Sequence, residues 1–315
     1  MLKPTILLDI IKNYTFYRIE HGEATKVITR YMQYRAVNKI IKRVLNNLQG
    51  KTTKNKGLIW HWQGSGKTLE IIFAANKLYH EKQLENPTIF LIVDRRDLER
   101  QLSEEYDALD ITKAETIRSI NDLRRIIKHD EGKGKRGIFI TLIHKFRPEE
   151  LEQLTKEIQK LSKKQQTISN RKNVIAFIDE GHRTQYGLLA GGMNLILKNA
   201  FQFAFTGTPI SKTGKDTYQT FSYPPTEKYL DKYSITQSIR DGFTVKIAYQ
   251  PRLEKEVHLK KDQLDTFIKV EFDEIPEKIR KHVKEKVKKK RMRICFFRKN
   301  NAKLITCKDL QAQKI

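Results

Sequence analysis

The sequence predicts an α/β domain built on a mainly parallel sheet flanked by helices. Three observations lead there. Short, continuously apolar runs rich in β-branched and aromatic residues recur between residues 57 and 205, which is how strands buried on both faces read. Stretches with helical apolar spacing separate them. A glycine-containing turn, Gln63-Gly64-Ser65-Gly66-Lys67-Thr68, follows the first run and opens the first of those helical stretches.

Each element has its own signal. Val37, Ile40, Ile41, Val44, Leu45 and Leu48 mark an amphipathic helix ahead of the core, and Lys51 to Lys56 is a polar connector. The strand runs are Leu58-Ile59-Trp60, Ile89 to Val93, Ile138 to Ile143, Val174 to Ile178 and Phe201 to Phe205. Ile71, Ala74, Ala75 and Leu78 fall at i, i+3, i+4 and i+7, one face of a helix. Leu151, Leu154, Ile158 and Leu161 follow nearly the same spacing within a charged insertion over 147–173. Pro224-Pro225 marks an exit from the core, and Phe243 to Tyr249 reads as one more strand. From about Lys278 the chain becomes a lysine run through Lys288-Lys289-Lys290-Arg291, and the last residues show no period.

Composition narrows the class. At 315 residues, the length is that of about two domains. Lys plus Arg is 62 against 37 Asp plus Glu, a formal net charge of +25, which suits a polyanionic partner such as nucleic acid. No run of apolar residues is long enough to span a membrane. Met1-Leu2-Lys3-Pro4, with Asp9 breaking the apolar run that follows, is not a secretory signal. Cys295 and Cys307 are the only cysteines, so a disulfide framework and a cysteine-based zinc site are excluded. The profile is that of a cytoplasmic protein with no membrane partner.

The chemistry concentrates at strand ends. Gly64 and Gly66 let the backbone turn its N–H groups onto phosphates, and the helix N-terminus adds its positive dipole end. Lys67 would reach the β- and γ-phosphates of ATP, and the Thr68 hydroxyl would ligate Mg²⁺. The strict pattern G-x-x-x-x-G-K-[ST] departs at one position, where His61 stands for the first glycine. Ile178-Asp179-Glu180-Gly181-His182 closes the fourth apolar run. Asp179 would hold Mg²⁺, Glu180 would polarise the attacking water, and His182 could sense the γ-phosphate. Phe205-Thr206-Gly207-Thr208-Pro209 ends the fifth run; its hydroxyls could bond the acidic pair and couple hydrolysis to movement. Asp94-Arg95-Arg96-Asp97 and His144-Lys145-Phe146-Arg147 follow two further strands, where ligands of open parallel sheets gather. Glu131-Gly132-Lys133 is the one Glu-x-Lys triplet considered for a metal-dependent nuclease, and it lies in a Gly/Lys-rich loop without a suitable strand. The eight histidines show no H-x-x-x-H ligand spacing. Trp60 and Trp62 flank the loop and read as packing residues rather than base-stacking ones.

The combination resembles the first motor domain of superfamily 2 helicases and translocases, a RecA-like P-loop NTPase domain. Trp60-His61-Trp62-Gln63-Gly64-Ser65-Gly66-Lys67-Thr68 and Asp179-Glu180-Gly181-His182-Arg183-Thr184-Gln185-Tyr186-Gly187 are similar to the restriction (R) subunit of type I restriction–modification enzymes. Arg30 to Lys39 resembles the segment preceding its motor, which makes Gln33 the adenine-reading glutamine, and Ser234 to Arg252 resembles the stretch leading toward a second motor domain. The resemblance implies an ATP-hydrolysing translocase on double-stranded DNA that works with methyltransferase (M) and specificity (S) subunits. It implies DNA contacts from Arg95, Arg96, Thr141, His144 and Lys145. The expected layout is a helical lead-in over 1–50, the motor domain over 51–222, an exit segment toward a second motor domain over 223–290, and an atypical tail over 291–315. The nuclease domain, second motor domain and assembly helices of that family are not visible, so a truncated or split subunit with weak turnover of its own is expected. The alternatives are a non-catalytic DNA- or partner-binding relic and another superfamily 2 DNA translocase.

Overall fold

The computed structural model describes residues 3–142, 145–162, 168, 171–179, 197–212 and 215–245. In chain order the elements are α1 (Pro4–Asn13), β1 (Thr15–Glu20), β2 (Glu23–Ile28), α2 (Tyr31–Leu48), β3 (Lys56–His61), α3 (Lys67–Tyr79), β4 (Thr88–Val93), α4 (Arg96–Ala108) and β5 (Ala114–Thr116). Then come α5 (Ile120–Gly132), β6 (Gly137–Leu142), α6 (Pro148–Ser162), β7 (Val174–Asp179), β8 (Phe201–Thr206), β9 (Ser211–Lys212), β10 (Lys215–Asp216), α7 (Thr217–Phe221), β11 (Asp231–Tyr233) and α8 (Ile235–Arg240).

The five apolar runs are the five central strands of one seven-stranded sheet of order β11-β3-β8-β7-β4-β6-β5. Every pairing in it is parallel. All six residues of β4 and of β8 are buried, which is why those runs are apolar at most positions; Gln202 within β8 is satisfied by donating to the Leu197 carbonyl at 3.2 Å. Ile59, Ile89, Leu91, Phe177 and Phe203 face a core shared with α2, α3 and α4. Leu58, Phe90, Ile92, Phe139 and Ala176 face a second core shared with α5 and α6. Each buried aliphatic or aromatic side chain contributes on the order of 2 kcal/mol, against at most about 1 kcal/mol for an exposed ion pair. The apolar faces therefore set the layering, and the fold class is as expected.

Three expectations are corrected. The lead-in is not all helical: β1 and β2 form an antiparallel hairpin turning at His21 and Gly22, both at positive φ (51° and 83°). The hairpin is fastened to α4 by Arg18, whose guanidinium donates to Glu105 Oε1 at 2.8 Å, and Phe16 stacks on Phe73 of α3. The chain also does not leave the core at Pro224-Pro225. Glu227 is paired with Arg43 at 2.7 Å, the Leu230 N–H donates to the Leu58 carbonyl at 2.8 Å, and β11 then adds to the sheet beside β3. Finally, residues 243–245 are not a strand. The Phe243 N–H donates to the Ser238 carbonyl as α8 ends, and the remainder of that expected strand lies outside the described residues. Among the described residues no helix is long and apolar enough to cross a membrane.

Candidate nucleotide-binding site

β3 ends at His61, and residues 62–66 turn into α3. Gly64 (φ 82°) and Gly66 (φ 85°) are in the left-handed region, where a side chain is strained and glycine is at ease. Gly66 caps α3 and Lys67 is its first residue, so the helix N-terminus, with its positive dipole end, opens at the loop, the arrangement that receives phosphate. Among the described residues no atom lies within 4 Å of a Cβ built on Gly64.

α2 lies over this loop. Gln33 is 1% exposed. Its Nε2 donates to the Gly66 carbonyl at 2.9 Å and more loosely to Ser65 at 3.4 Å, while its Oε1 accepts from the Arg30 N–H at 2.8 Å. The amide expected to read adenine is thus seated on the loop backbone. Arg30 reaches the Gly64 carbonyl at 3.3 Å and stacks on the Phe243 ring 4.0 Å away.

The far wall is the end of β8. Trp60 on β3 registers with Thr206 on β8, and Asp179 on β7 registers with Phe205. One strand, β8, therefore separates the loop strand from the Asp179 strand, a span of about 10 Å at ordinary strand spacing. The Thr208 N–H donates to Thr206 Oγ1 at 3.1 Å, and Trp60 Nε1 donates to the Gly207 carbonyl at 3.1 Å. A Cβ on Gly207 would meet Gln63 N at 3.4 Å, the His61 carbonyl oxygen at 3.5 Å and Lys67 Nζ at 3.8 Å. Lys67, Gly207 and the loop backbone thus converge. Glu180, His182 and His144 lie outside the described residues. Trp60 packs edge-on against Tyr218 and Tyr229.

Behind the loop lies a buried ion-pair system. His61 is 0% exposed; its Nε2 bonds Asp231 Oδ2 at 2.8 Å and its Nδ1 lies 3.0 Å from Glu70 Oε2. Asp231 also receives Arg35 at 2.7 Å and Lys39 at 2.6 Å, both from α2. Burial disfavours the imidazolium, but Glu70 and Asp231 outweigh it and raise the His61 pKa to about 9. Burial likewise opposes the Asp231 carboxylate, yet hydrogen bonds from His61, Arg35 and Lys39 hold its pKa well below the usual range. Burial raises the Glu70 pKa, with His61 opposing. Neither Asp231 nor Glu70 announces itself in the sequence; only the departure at His61 pointed here.

Two residues expected to meet DNA are not on a free surface. Thr141 is 1% exposed within β6, and Lys145 Nζ is held by Glu99 at 2.6 Å and the Ile117 carbonyl at 3.1 Å. The cause is packing at the carboxyl end of β6, where Glu99 of α4 neutralises the lysine. Arg95 and Arg96, at the start of α4, are exposed.

Residues 32–285 match the family model described as SWI2/SNF2 ATPase. The chain belongs to the SWI2/SNF2 ATPase family. The match makes this a helicase-type motor portion, and it takes in α2, the loop and every strand of the central sheet. The chain is 37% identical over 79% of its length to the MjaVIIIP type I restriction enzyme endonuclease subunit of Methanocaldococcus jannaschii, covering 25% of that protein. It is 32% identical over 82% of its length to the HindI type I restriction enzyme endonuclease subunit of Haemophilus influenzae, again covering 25%. The chain thus spans about a quarter of the length of these relatives. Among solved structures, the type ISP restriction–modification enzyme LlaBIII bound to DNA matches 70% of this chain and 16% of its own, at 14% identity and a TM-score of 0.44. The Sulfolobus solfataricus SWI2/SNF2 ATPase core with dsDNA matches 67% and 38%, at 15% identity and 0.37.

Proposed function

We propose that this chain is the ATP-hydrolysing, DNA-contacting motor portion of a type I restriction endonuclease R subunit. The observation that carries the reading is the convergence of the Gly64–Gly66 loop, Lys67 at the start of α3, and Gly207 against the loop backbone. Loop amides and Lys67 bind and orient the phosphates. Thr68 and Asp179, at the same sheet edge, would hold Mg²⁺, which supplies charge neutralisation on the phosphates when bound. Among the described residues no group of three His, Cys, Asp or Glu side chains is arranged to hold a metal ion by itself; a magnesium ion shared with phosphate oxygens needs only one or two protein ligands.

Glu180 would orient and deprotonate the attacking water and His182 would sense the γ-phosphate. Gln33 reads adenine by exchanging its loop bonds for the base, which ties base recognition to loop shape. Thr206, Gly207 and Thr208 pass the state of the phosphate site to the rest of the sheet edge. Arg95 and Arg96 contact the backbone of duplex DNA, and the partners are the M and S subunits in the cytoplasm. In this reading residues 51–222 form the motor domain, and β11 extends it beyond the expected boundary by adding to the same sheet.

The test is ATP turnover by the purified chain with and without duplex DNA, beside Lys67→Ala. Turnover that DNA stimulates and the substitution abolishes supports the motor. Nucleotide binding indifferent to Lys67 sinks it.

A further inference from the structure

The strict phosphate-loop pattern has a glycine where this chain has His61, and the site's chemistry makes no use of an imidazole there. The side chain is fully buried, and burying a charge is costly unless it is paired. Each partner of His61 belongs to a different element. Glu70 stands on α3, one residue beyond its first three. Asp231 opens β11. Asp231 in turn takes Arg35 Nε, Arg35 NH2 and Lys39 Nζ from α2, the helix that lays Gln33 on the loop. Neither oxygen of Glu70 has a hydrogen-bond partner among the described residues, so His61 is its principal compensation.

We propose that His61 and Asp231 are positioning residues for the nucleotide: a relay from Arg35 and Lys39 at the surface to the buried Asp231, His61 and Glu70 locks α2 and β11 onto the phosphate loop and sets its shape. The relay brackets the loop. His61 ends the strand before it, Glu70 lies in the helix after it, and Gln33 on the relay's outer helix bonds the carbonyl of Gly66, the loop's last residue. Three backbone segments far apart in sequence are thereby held to one carboxylate. Further support comes from the Trp62 N–H, which donates to the Tyr233 carbonyl at 2.9 Å, so β11 also holds the first residue of the turn. Moving β11 or α2 moves the loop, and the lysine and glycines act on phosphate only from the position the relay defines.

The inference rests on the nucleotide reading, and the experiment separates the two. Arg35 and Lys39 are partly exposed, so Arg35→Met/Lys39→Met breaks the outer end of the relay without opening the core. Asp231→Asn breaks its middle. Hydrogen exchange of residues 62–68 without nucleotide, and the dissociation constant of Mg-ATP by calorimetry, are measured in the full chain. Both variants are expected to speed loop exchange while β4 amides stay protected. Both are expected to weaken ATP binding about tenfold, within the coupling range of one charge network. Arg35→Lys, which keeps a cation on Asp231, is expected to restore affinity to within about twofold. If Asp231→Asn does not fold, the double variant decides. Unchanged loop exchange and unchanged affinity in a folded double variant overturn the relay. Absence of ATP binding in the wild type sinks the nucleotide reading instead, and the exchange arm alone then decides the relay.

Discussion

The side-chain amide of Gln33 occupies the space that a Cβ on residue 66 would need. Its Nε2 donates to the Gly66 carbonyl at 2.9 Å, and a Cβ built on Gly66 would sit 2.6 Å from that nitrogen. Gly66 is also at φ 85°, where any side chain is strained. Gly66→Ala should therefore cost about 1–3 kcal/mol of stability and displace Gln33 from the loop. Mg-ATP affinity should fall at least about tenfold, since a loss of about 1.4 kcal/mol suffices for that. Calorimetric titration beside a thermal melt checks both; wild-type affinity in the variant would show that the Gln33 contact is incidental.

Gly207 makes a graded prediction. A Cβ there would touch Gln63 N and the His61 carbonyl at 3.4 and 3.5 Å, ordinary contact distances. Gly207→Ala should fold with a melting temperature within a few degrees of wild type. Gly207→Val adds two methyls beyond a Cβ already in contact with the loop backbone, and overpacking of that kind costs about 1–3 kcal/mol. Melting curves of the two variants decide it: equal behaviour would mean that the β8 end is not packed against the loop.

The buried imidazolium predicts a pH dependence of stability. The His61 pKa is raised from 6.5 to about 9, because Glu70 and Asp231 outweigh the cost of burial. A raised folded pKa contributes stability that is complete below about pH 6.5 and lost as pH rises through about 9. The group faces Glu70, Asp231 and the Tyr233 ring, with Arg35 and Lys39 beyond Asp231. The loss should be on the order of 3 kcal/mol between pH 6.5 and 9.5. Denaturant unfolding across that window tests it, with His61→Asn expected to flatten the profile. Asp231 has the opposite sense: its depressed pKa gives stability that is present above about pH 3.8 and fades only in strong acid.

A formal charge of +25 predicts salt-sensitive DNA binding. Between about 50 and about 200 mM salt, affinity for duplex should fall at least about a hundredfold through loss of counterion release. Arg95→Ala/Arg96→Ala should lower the slope of log K against log salt by about 2. Fluorescence anisotropy at several salt concentrations would reveal either result; a flat salt response means the charge is merely a solvated surface.

Much of the fold was legible in the chain. Strands buried on both faces need continuous apolar runs, and β4 and β8, buried at all six positions, carry them. The glycine turn before α3 was legible because its glycines serve backbone conformation: positive φ at residues 64 and 66 is a local demand that shows in a local string. The hairpin β1–β2 was not. Its outward positions Tyr17, Ile19 and Ile28 are exposed apolar residues, which blurs the alternation by which a half-buried strand is read. The burial of Thr141 and the pairing of Lys145 with Glu99 of α4 were not legible, because both depend on other elements of the fold.

What the sequence determined by itself is what depends on neighbours along the chain: the alternating strands and helices, the left-handed glycines, and Lys67 and Thr68 at a helix start. What only the tertiary structure decided is what depends on charges brought together across it. β11 has three residues, Asp231-Lys232-Tyr233, too short and too polar to read as a strand. It joins the sheet because Asp231, 1% exposed, meets His61, Arg35 and Lys39 there. A buried carboxylate is costly alone and tolerable when compensated, and its compensation comes from residues about 170 to 200 positions away that no local pattern could pair with it.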